Sequence, residues 1–201
     1  MHLLAQGGVP DGDPRHPRTL REVTPDDVAS LRATLEGEGP GSFRIDDLRA
    51  DDLGHLDWSG SRAHLRSVAR QLERIADGEA EYLVARGPDG TPVAKAGIDY
   101  GVARWRGVIW QVVVRAELQG LGLGTRLLEE AEARMRARGC RLAVLSVEVD
   151  NPRAQALYER LGYRGVGTRQ TGWEVDGPGG AVDWYTTEVL DMEKPLPSTP
   201  G

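Results

Sequence analysis

The stretch Gln119-Gly120-Leu121-Gly122-Leu123-Gly124-Thr125 says most about the fold of this chain of 201 residues. It follows an apolar segment with strand character, Val108 to Arg115, and precedes a helical run, Arg126 to Arg138. The three glycines allow a turn in which successive backbone N–H groups come close to a ligand. The positive end of the following helix dipole points at the same place. The stretch therefore predicts a site for a phosphate or pyrophosphate at a strand-to-helix turn.

Two other phosphate-binding motifs do not fit this stretch. A P-loop needs Lys and then Ser or Thr after its last glycine, whereas Gly124 is followed by Thr125 and Arg126. A dinucleotide-binding turn needs a third small residue at position 125 and a run of βαβ units, and the upstream elements are mixed. The alternative that remains is a glycine-rich connection without a ligand.

A second motif, Asn151-Pro152-Arg153-Ala154-Gln155-Ala156-Leu157-Tyr158, argues against that alternative. It follows a predicted strand, Arg141 to Val149, and predicts a short helix with Asn151 as N-cap and Gly162 beyond its end. With this motif in place, Gln119-x-x-Gly122-x-Gly124 resembles the pyrophosphate signature of the GNAT N-acetyltransferases. Asn151, Ala154, Leu157, Tyr158 and Gly162 resemble the family's downstream block. The resemblance is strong from Val108 to Arg164 and weaker at Leu190 to Lys194.

The resemblance implies an α+β fold with a mixed, largely antiparallel central sheet of about seven strands and about four flanking helices. The fourth and fifth strands are expected to splay apart and to admit the pantetheine arm of acetyl-CoA, which would be a co-substrate. An exposed strand edge suits such an arm because it offers unpaired N–H and C=O groups. The residues implied for the coenzyme are Val112, Val113, Val114, Gln119, Gly120, Leu121, Gly122, Leu123, Gly124, Thr125 and Asn151.

Local patterns outside the motifs agree with this fold. A helix is predicted from Ser61 to Ala76, and a hairpin with the turn Gly87-Pro88-Asp89-Gly90 joins two strands at 81–86 and 92–100. Two more strands are predicted at 163–170 and 183–193, and a first strand and helix at 19–23 and 24–35. A hydrophobic content of 39% suits one core. We therefore expect a flexible leader at 1–18, a single acetyltransferase domain at 19–196 and a tail at 197–201.

The catalytic residues expected are Tyr158 and Glu148. Tyr158 stands where the family keeps the acid that protonates the leaving thiolate, although an aromatic on this helix face could be core alone. The position at which the family usually has its base is Ser146 here, so the role of base is not carried over to this residue. Strand alternation places Glu148 on the same face as Ser146, so it could act directly or through water, or be an exposed strand-end charge. Asn151 could be an ordinary N-cap, bind the coenzyme, or do both.

The acceptor is expected to be an amine held by the acidic segment from Ser42 to Gly60. Asp51, Asp52 and Trp58 lie in this segment, and Asp99 at a strand end is a further candidate. Carboxylates and a tryptophan face attract cations. The alternative is a solvated loop whose charges only aid solubility, in a chain whose formal net charge is −6.

The sequence thus predicts an acetyl-CoA dependent N-acetyltransferase acting on a small cationic metabolite or antibiotic by direct attack on the thioester. The alternatives are an enzyme for protein or peptide amines and a non-catalytic acyl-CoA-binding module. The chain has one cysteine, Cys140, and its histidines are scattered without metal-ligand spacing, so we predict no metal site. Neither a basic stripe nor a long apolar run is present, so nucleic acid and membrane partners are not expected. A cytoplasmic location follows from the lack of a signal peptide, and a homodimer is left open.

Overall fold

The computed structural model describes residues 29–30, 33, 43–177, 179 and 181–197. Its strands are β1 Arg44–Asp47, β2 Ala80–Arg86, β3 Pro92–Ala103, β4 Arg106–Val114, β5 Leu142–Glu148, β6 Arg164–Asp176 and β7 Val182–Pro195. Its helices are α1 Arg62–Ala76, α2 Leu123–Ala137 and α3 Pro152–Arg160, with short 3-10 turns at Ala50–His55, Asp57–Ser59 and Ala116–Leu118.

The strands form one seven-stranded sheet in the order β1-β2-β3-β4-β5-β7-β6. The β4–β5 pair is parallel, and the other neighbouring pairs are antiparallel. This confirms the predicted α+β class and the mixed, largely antiparallel sheet. Because β4 and β5 are parallel, the glycine turn after β4 and the Asn151 motif after β5 both lie at the carboxyl ends of these strands, on the same end of the sheet.

A hydrophobic core lies on each face of the sheet. The larger core joins β2 to β5 with α2 and includes Ile109, Leu127, Val147 and Tyr158. The smaller core contains Tyr82 and Val84 of β2 and is covered by α1 through Val68. We call these sides the α2 face and the α1 face. Alternate residues of a strand point to opposite faces, so the two cores assign a side to each residue near the site.

The helix ends agree with their sequence signals. The Ser61 hydroxyl accepts a hydrogen bond from the His64 backbone N–H and caps α1. Gly139 and Gly162 have left-handed φ values of 84° and 91° just beyond α2 and α3. The glycine turn differs from the prediction in one respect, because α2 begins at Leu123 rather than at Arg126.

The first strand of the sheet lies in an unexpected place. The predicted leader at 1–18, the strand at 19–23 and most of the helix at 24–35 fall outside the described residues, although Ala29, Ser30 and Ala33 are helical. β1 lies inside the acidic segment, for which no strand was predicted, and it pairs antiparallel with β2. β6 and β7 also extend further toward their connection than predicted. None of the described helices is long and apolar enough to cross a membrane.

Candidate active site

A gap opens between β4 and β5 toward their carboxyl ends. The two strands pair from Arg106 with Leu142 to Ile109 with Leu145, and the pairing stops there. Beyond that point β4 pairs only with β3, and β5 pairs only with β7 among the described strands. The facing edges from Trp110 to Val114 and from Ser146 to Glu148 therefore lack a strand partner. This is the splayed pair that the sequence predicted.

A β-bulge marks the start of the gap on β4. The β3–β4 register passes from Lys95 opposite Val113 to Gly97 opposite Trp110, so β4 has one extra residue between these pairs. Gln111 lies in the bulge and has a φ of 51°, which is unusual for a residue with a side chain. The bulge shifts the alternation of β4, so that Val112 and Val114 pack against the core of the α2 face.

The glycine turn closes the open end of the gap. Gly120 and Gly122 have left-handed φ values of 87° and 82°, which glycine adopts without strain. Gly122 is the N-cap of α2, and no side chain caps this helix end. The first backbone N–H groups of α2, at Leu123 to Thr125, lack carbonyl partners within the helix. Together with the helix dipole, these groups suit a phosphate oxygen.

Gly124 allows α3 to approach this helix end. A Cβ atom added there would lie 3.4 Å from Leu157 Cδ2 of α3. α2 and α3 therefore meet at the mouth of the gap through a glycine and a leucine. The site combines the end of β4, the start of α2 and the start of α3, as the two sequence motifs predicted.

An arginine beside the turn was not singled out from the sequence. Gln119 Nε2 donates to the Val114 carbonyl at 3.3 Å, and Gln119 Oε1 accepts from Arg153 Nη1 at 2.9 Å. Arg153 Nη2 would lie 3.8 Å from a Cβ atom on Gly120. Gln119 thus links β4 to α3 and places a cation next to the turn. The sequence signal for this role is the position of Arg153 directly after Asn151-Pro152.

Asn151 acts visibly as a helix cap. Its Oδ1 atom accepts a hydrogen bond from the Ala154 backbone N–H at 3.1 Å. Its own backbone N–H donates to the Glu148 carbonyl at 3.0 Å, which turns the chain tightly from β5 into α3. The structure thus supports the N-cap interpretation, and a contact with a coenzyme stays a prediction.

Tyr158 is buried between α3 and the sheet. Its side chain is 7% exposed and belongs to the core of the α2 face, where its ring centroid lies 6.1 Å from that of Tyr163. Burial raises the pKa of Tyr158 to about 12. The hydroxyl therefore keeps its proton at neutral pH, as a proton donor must.

Glu148 lies on the other face of the sheet. It follows Val147, which belongs to the core of the α2 face, so strand alternation directs Glu148 to the α1 face. It is fully buried rather than an exposed strand-end charge, and its Oε1 atom accepts a hydrogen bond from the Tyr185 hydroxyl at 3.1 Å. Ser146 stands at the position where the family usually has its base. Its hydroxyl is hydrogen-bonded to the side chains of Asp191 and Arg169.

An aromatic wall beside Glu148 was also missed from the sequence. The rings of Trp173 on β6 and Tyr185 on β7 pack with centroids 5.0 Å apart, and these residues are partners in the β6–β7 ladder. Thus Glu148, Tyr185 and Trp173 share the α1 face of three neighbouring strands. No sequence motif marks this group, because its members come from three strands that pair only in the folded sheet.

The end of β6 is tied to α1 on the same face. Asp176 accepts hydrogen bonds from the backbone N–H groups of Arg62 at 2.7 Å and Ala63 at 3.1 Å. Its carboxylate therefore caps the positive end of α1 from a distant part of the chain. This contact joins the end of β6 to the start of α1.

The carboxylates predicted to bind an amine have other partners. Asp52 is buried and accepts from Arg86 at 2.6 and 2.8 Å and from the Arg49 backbone N–H at 2.7 Å. Burial opposes its ionisation, but the hydrogen bonds with Arg86 and Arg49 outweigh burial and lower the pKa of Asp52. In this geometry Asp52 fixes the acidic segment to β2, and an amine-binding role for it stays a prediction that these contacts do not support.

Asp99 is engaged in a similar way. Its two oxygens accept from Arg74 at 2.8 and 3.0 Å, and it also accepts from the Gly101 backbone N–H at 2.7 Å. The hydrogen bond from Arg74 lowers the pKa of Asp99 although burial opposes this. Asp99 therefore joins β3 to α1, and its proposed role as an amine anchor is not supported.

The two remaining acceptor candidates, Asp51 and Trp58, have different surroundings. Asp51 is exposed. Trp58 is half-buried, donates from Nε1 to the His55 carbonyl at 2.8 Å, and has the guanidinium of Arg115 5.6 Å from its ring centroid. The positively charged side chain of Arg115 thus already lies next to the Trp58 ring.

Comparisons with known proteins agree with this geometry. The sequence model of the Acetyltransferase (GNAT) family matches residues 46–163. The mycothiol acetyltransferase of Arthrobacter sp. (strain FB24) is 30% identical over 156 residues, which are 76% of this chain and 45% of that protein. The chain therefore spans less than half the length of this curated relative.

Solved structures show the same fold. The ribosomal-protein-S18-alanine N-acetyltransferase of Escherichia coli superposes with a TM-score of 0.60 at 23% identity, covering 79% of this chain and 96% of that one. A phosphinothricin acetyltransferase from Sinorhizobium meliloti in complex with AcCoA gives a TM-score of 0.60 at 20% identity, covering 77% and 89%. The splayed strands, the glycine turn and the family match lead to one conclusion: the chain belongs to the GNAT family of acetyltransferases, whose acetyl donor is acetyl-CoA.

Proposed function

We propose that this protein transfers the acetyl group of acetyl-CoA to a primary amine of a small cationic compound. The observation that carries the proposal is the gap between β4 and β5. The glycine turn follows its β4 edge, Glu148 ends its β5 edge, and Tyr158 lies in the helix that follows β5; Glu148 and Tyr158 lie on opposite faces of the sheet. An acid and a base on opposite sides of one slot suit a reaction in which an amine arrives from one face and a thiol leaves from the other.

The chain has groups that fit the acetyl donor. Backbone N–H groups at the start of α2 would bind the pyrophosphate, and Arg153 would add a positive charge. The unpaired edge of β4 at Val112 to Val114 would pair with the amides of the pantetheine arm. The closed end of the gap, at Ile109 and Leu145, then fixes how far the arm can reach. When bound, the donor supplies a thioester carbonyl that an amine can attack.

Glu148 is the proposed general base. It would take a proton from the attacking nitrogen, directly or through one water, because it faces the side on which an acceptor can enter. Tyr185 holds one oxygen of the carboxylate in place, which fixes the orientation of the base. Burial excludes bulk water and strengthens the interaction of this carboxylate with a cationic amine.

Tyr158 is the proposed general acid. Its hydroxyl stays protonated at neutral pH because burial raises its pKa to about 12. A thiolate leaving on the α2 face would receive that proton. The tetrahedral oxyanion that precedes this step would be stabilised by backbone N–H groups of β4 near the bulge.

The acceptor is proposed to be held by Glu148 and the aromatic wall of Trp173 and Tyr185. Aromatic faces attract ammonium and aliphatic amine groups, and a buried carboxylate adds charge complementarity. The contact of Asp176 with the start of α1 holds β6, which carries Trp173, against that helix. The acidic segment no longer supports the acceptor assignment, since Asp52 is paired with Arg86.

The test is a thiol-release assay with acetyl-CoA and a panel of amines, followed by mass spectrometry of the product. The panel contains polyamines, amino acids, aminoglycosides and a peptide with a free amino terminus. We expect a gain of one acetyl group on a small amine. Acetylation of the peptide alone would assign a protein substrate, and tight acetyl-CoA binding without any turnover would assign a sensor; either result overturns the proposal.

A further inference from the structure

We propose that Lys95, Tyr82 and Gln111 form a buried anchor that fixes the bulge of β4 and so positions the thioester for transfer. The inference rests on the proposed function, because it assigns a role to residues behind the same gap. None of the three would touch the substrate through its side chain, so they are positioning residues. The proposal follows from four features of the α1 face.

The first feature is the backbone of Gln111. Its φ of 51° lies in the left-handed region, and it is the one described residue other than glycine with a positive φ. Such a conformation costs free energy for a residue with a Cβ atom and persists only where its surroundings hold it. It occurs two residues after Ile109, where β4 leaves β5. The bulge therefore needs a support, and it stands where the gap begins.

The second feature is a chain of short hydrogen bonds that ends on this residue. Gln111 Oε1 accepts from the Tyr82 hydroxyl at 2.7 Å. The same hydroxyl oxygen accepts from Lys95 Nζ at 2.7 Å. Lys95 Nζ in turn lies 2.9 Å from His64 Nε2 in the first turn of α1. The chain thus connects the bulge through β2 and β3 to a helix on the far side of the core.

The third feature is the burial of the lysine. Lys95 is 0% exposed and Tyr82 is 1% exposed. Among the described residues, no carboxylate forms an ion pair with Lys95, and its polar neighbours are Tyr82 and His64. Burial lowers the pKa of Lys95 to about 7 and, with the nearby lysine as a lesser cause, that of His64 to about 3. An apolar side chain would fill this position at a lower cost, so packing alone does not account for an amine here.

The fourth feature is the room that two glycines make for the chain. A Cβ atom on Gly97 would lie 2.5 Å from Cε2 of Trp110, the residue before Gln111. The Trp110 ring packs edge-on against Tyr82 with centroids 5.4 Å apart. A Cβ atom on Gly60 would lie 2.8 Å from the His64 ring. Both ends of this chain of hydrogen bonds are therefore enclosed by close contacts. A residue larger than glycine at position 97 or 60 would prevent these contacts.

These features place the anchor where the reactive end of the donor must lie. A pantetheine arm that follows β4 from Val114 reaches Gln111 after three residues, or roughly 10 Å at 3.3 Å per residue. The backbone groups at the bulge are then the ones that meet the thioester. A misplacement of about 1 Å at a reacting group can cost a large factor in rate, so a fixed bulge matters for turnover more than for affinity.

The test compares Tyr82→Phe, the double variant Tyr82→Phe with Lys95→Met, and the control Tyr100→Phe. Tyr82→Phe leaves the Lys95 amine without its hydroxyl partner, whereas the double variant removes both buried polar groups and restores an apolar core. Tyr100 lies in β3 and donates its hydroxyl to Glu81, so its loss removes a hydrogen bond of the same kind elsewhere. We measure the melting temperature, kcat, and the dissociation constants of acetyl-CoA and CoA.

If the three residues act as an anchor, kcat falls at least ~10-fold in Tyr82→Phe and in the double variant, although the double variant regains the wild-type melting temperature. The affinity for CoA stays within about twofold, and the ratio of the dissociation constants of acetyl-CoA and CoA departs from its wild-type value, while Tyr100→Phe keeps both that ratio and its kcat. Recovery of kcat together with the melting temperature in the double variant would overturn the proposal. If the wild-type protein shows no turnover with any amine, the proposed function fails, and the ratio of the two dissociation constants still decides on the anchor.

Discussion

The two sides of the gap between β4 and β5 are built in different ways. At the glycine turn and along the edge of β4, the proposed donor site is built mainly of backbone groups, and it needs side chains that are small or turned away. On the α1 face, the site consists of side chains from separate strands, with Glu148 bonded to Tyr185 and Tyr185 packed on Trp173. The proposed donor site therefore depends on local chain geometry, whereas the proposed acceptor site depends on which strands become neighbours. Substitutions on the two sides should therefore have separable effects.

The largest effect is expected from Glu148→Gln. The amide keeps the shape and can still accept from Tyr185, but it cannot take a proton, so kcat should fall by about 10³. The affinity for acetyl-CoA should stay within about twofold because the donor binds on the other side. The measurement is steady-state kinetics at several pH values together with calorimetry. An unchanged kcat would mean that another group accepts the proton.

A smaller effect is expected from Tyr158→Phe. The ring and its contact with Tyr163 remain, while the hydroxyl that donates to the thiolate is lost. We expect kcat to fall by about 10²-fold with little change in coenzyme affinity or melting temperature. Tyr163→Phe, which alters the ring partner of Tyr158, is the matched control. Full activity of Tyr158→Phe would identify this residue as core alone.

Asp52→Asn should affect stability rather than the acceptor. The change removes one of the two carboxylate charges that face the buried Arg86 and leaves it with Asp46 alone, which costs up to roughly 3 kcal/mol of the free energy of unfolding. The neighbouring Asp51→Asn, at an exposed position, should change it by less than about 0.5 kcal/mol. Urea unfolding measures both. A raised Michaelis constant for the amine in either folded variant would return the acidic segment to the acceptor site.

Gly122→Val should weaken acetyl-CoA binding by about 10-fold. The left-handed φ of 82° is unfavourable for valine, so the turn shifts and its N–H groups lose their alignment. Gly90→Val is the control, because Gly90 has a φ of 83° and, like Gly122, no atom within 4 Å of an added Cβ, but lies in the β2–β3 hairpin turn. Calorimetry should separate the two variants. Equal binding by both would show that the turn does not hold the coenzyme.

A further effect, outside the two sides of the gap, is a pH dependence of stability that comes from Lys95. Its pKa is about 7 in the folded protein and near 10.5 in the unfolded chain, so the unfolded state binds more protons between these values. The free energy of unfolding should rise with pH across that window by up to ~1.4 kcal/mol per unit from this group. Lys95→Met should remove that part of the slope in urea unfolding at pH 7 and pH 9. Tyr82 and His64 face the amine, and neither changes charge in this range.

Much of the fold followed from local signals along the chain. Ser61, Asn151, Gly139 and Gly162 mark helix ends because each needs only its own backbone geometry and near neighbours. The hairpin turn at Gly87 to Gly90 is a signal of the same kind. The acidic segment was harder, since Asp46 and Asp52 pair with Arg86, which comes more than thirty residues later. A loop and an edge strand look alike until that partner is in place.

The family, the order of the main elements and the position of the glycine turn could be read from the sequence. Glycine spacing and an N-cap motif act over a few residues, and their physical meaning does not depend on distant contacts. The partners of the carboxylates came from the tertiary structure, because Glu148 meets Tyr185 and Asp99 meets Arg74 only when strands and helices pack. The tertiary structure also decided that Lys95, in the middle of a strand, lies in a buried chain of hydrogen bonds. Charge and burial depend on neighbours in space, and a linear pattern does not contain them.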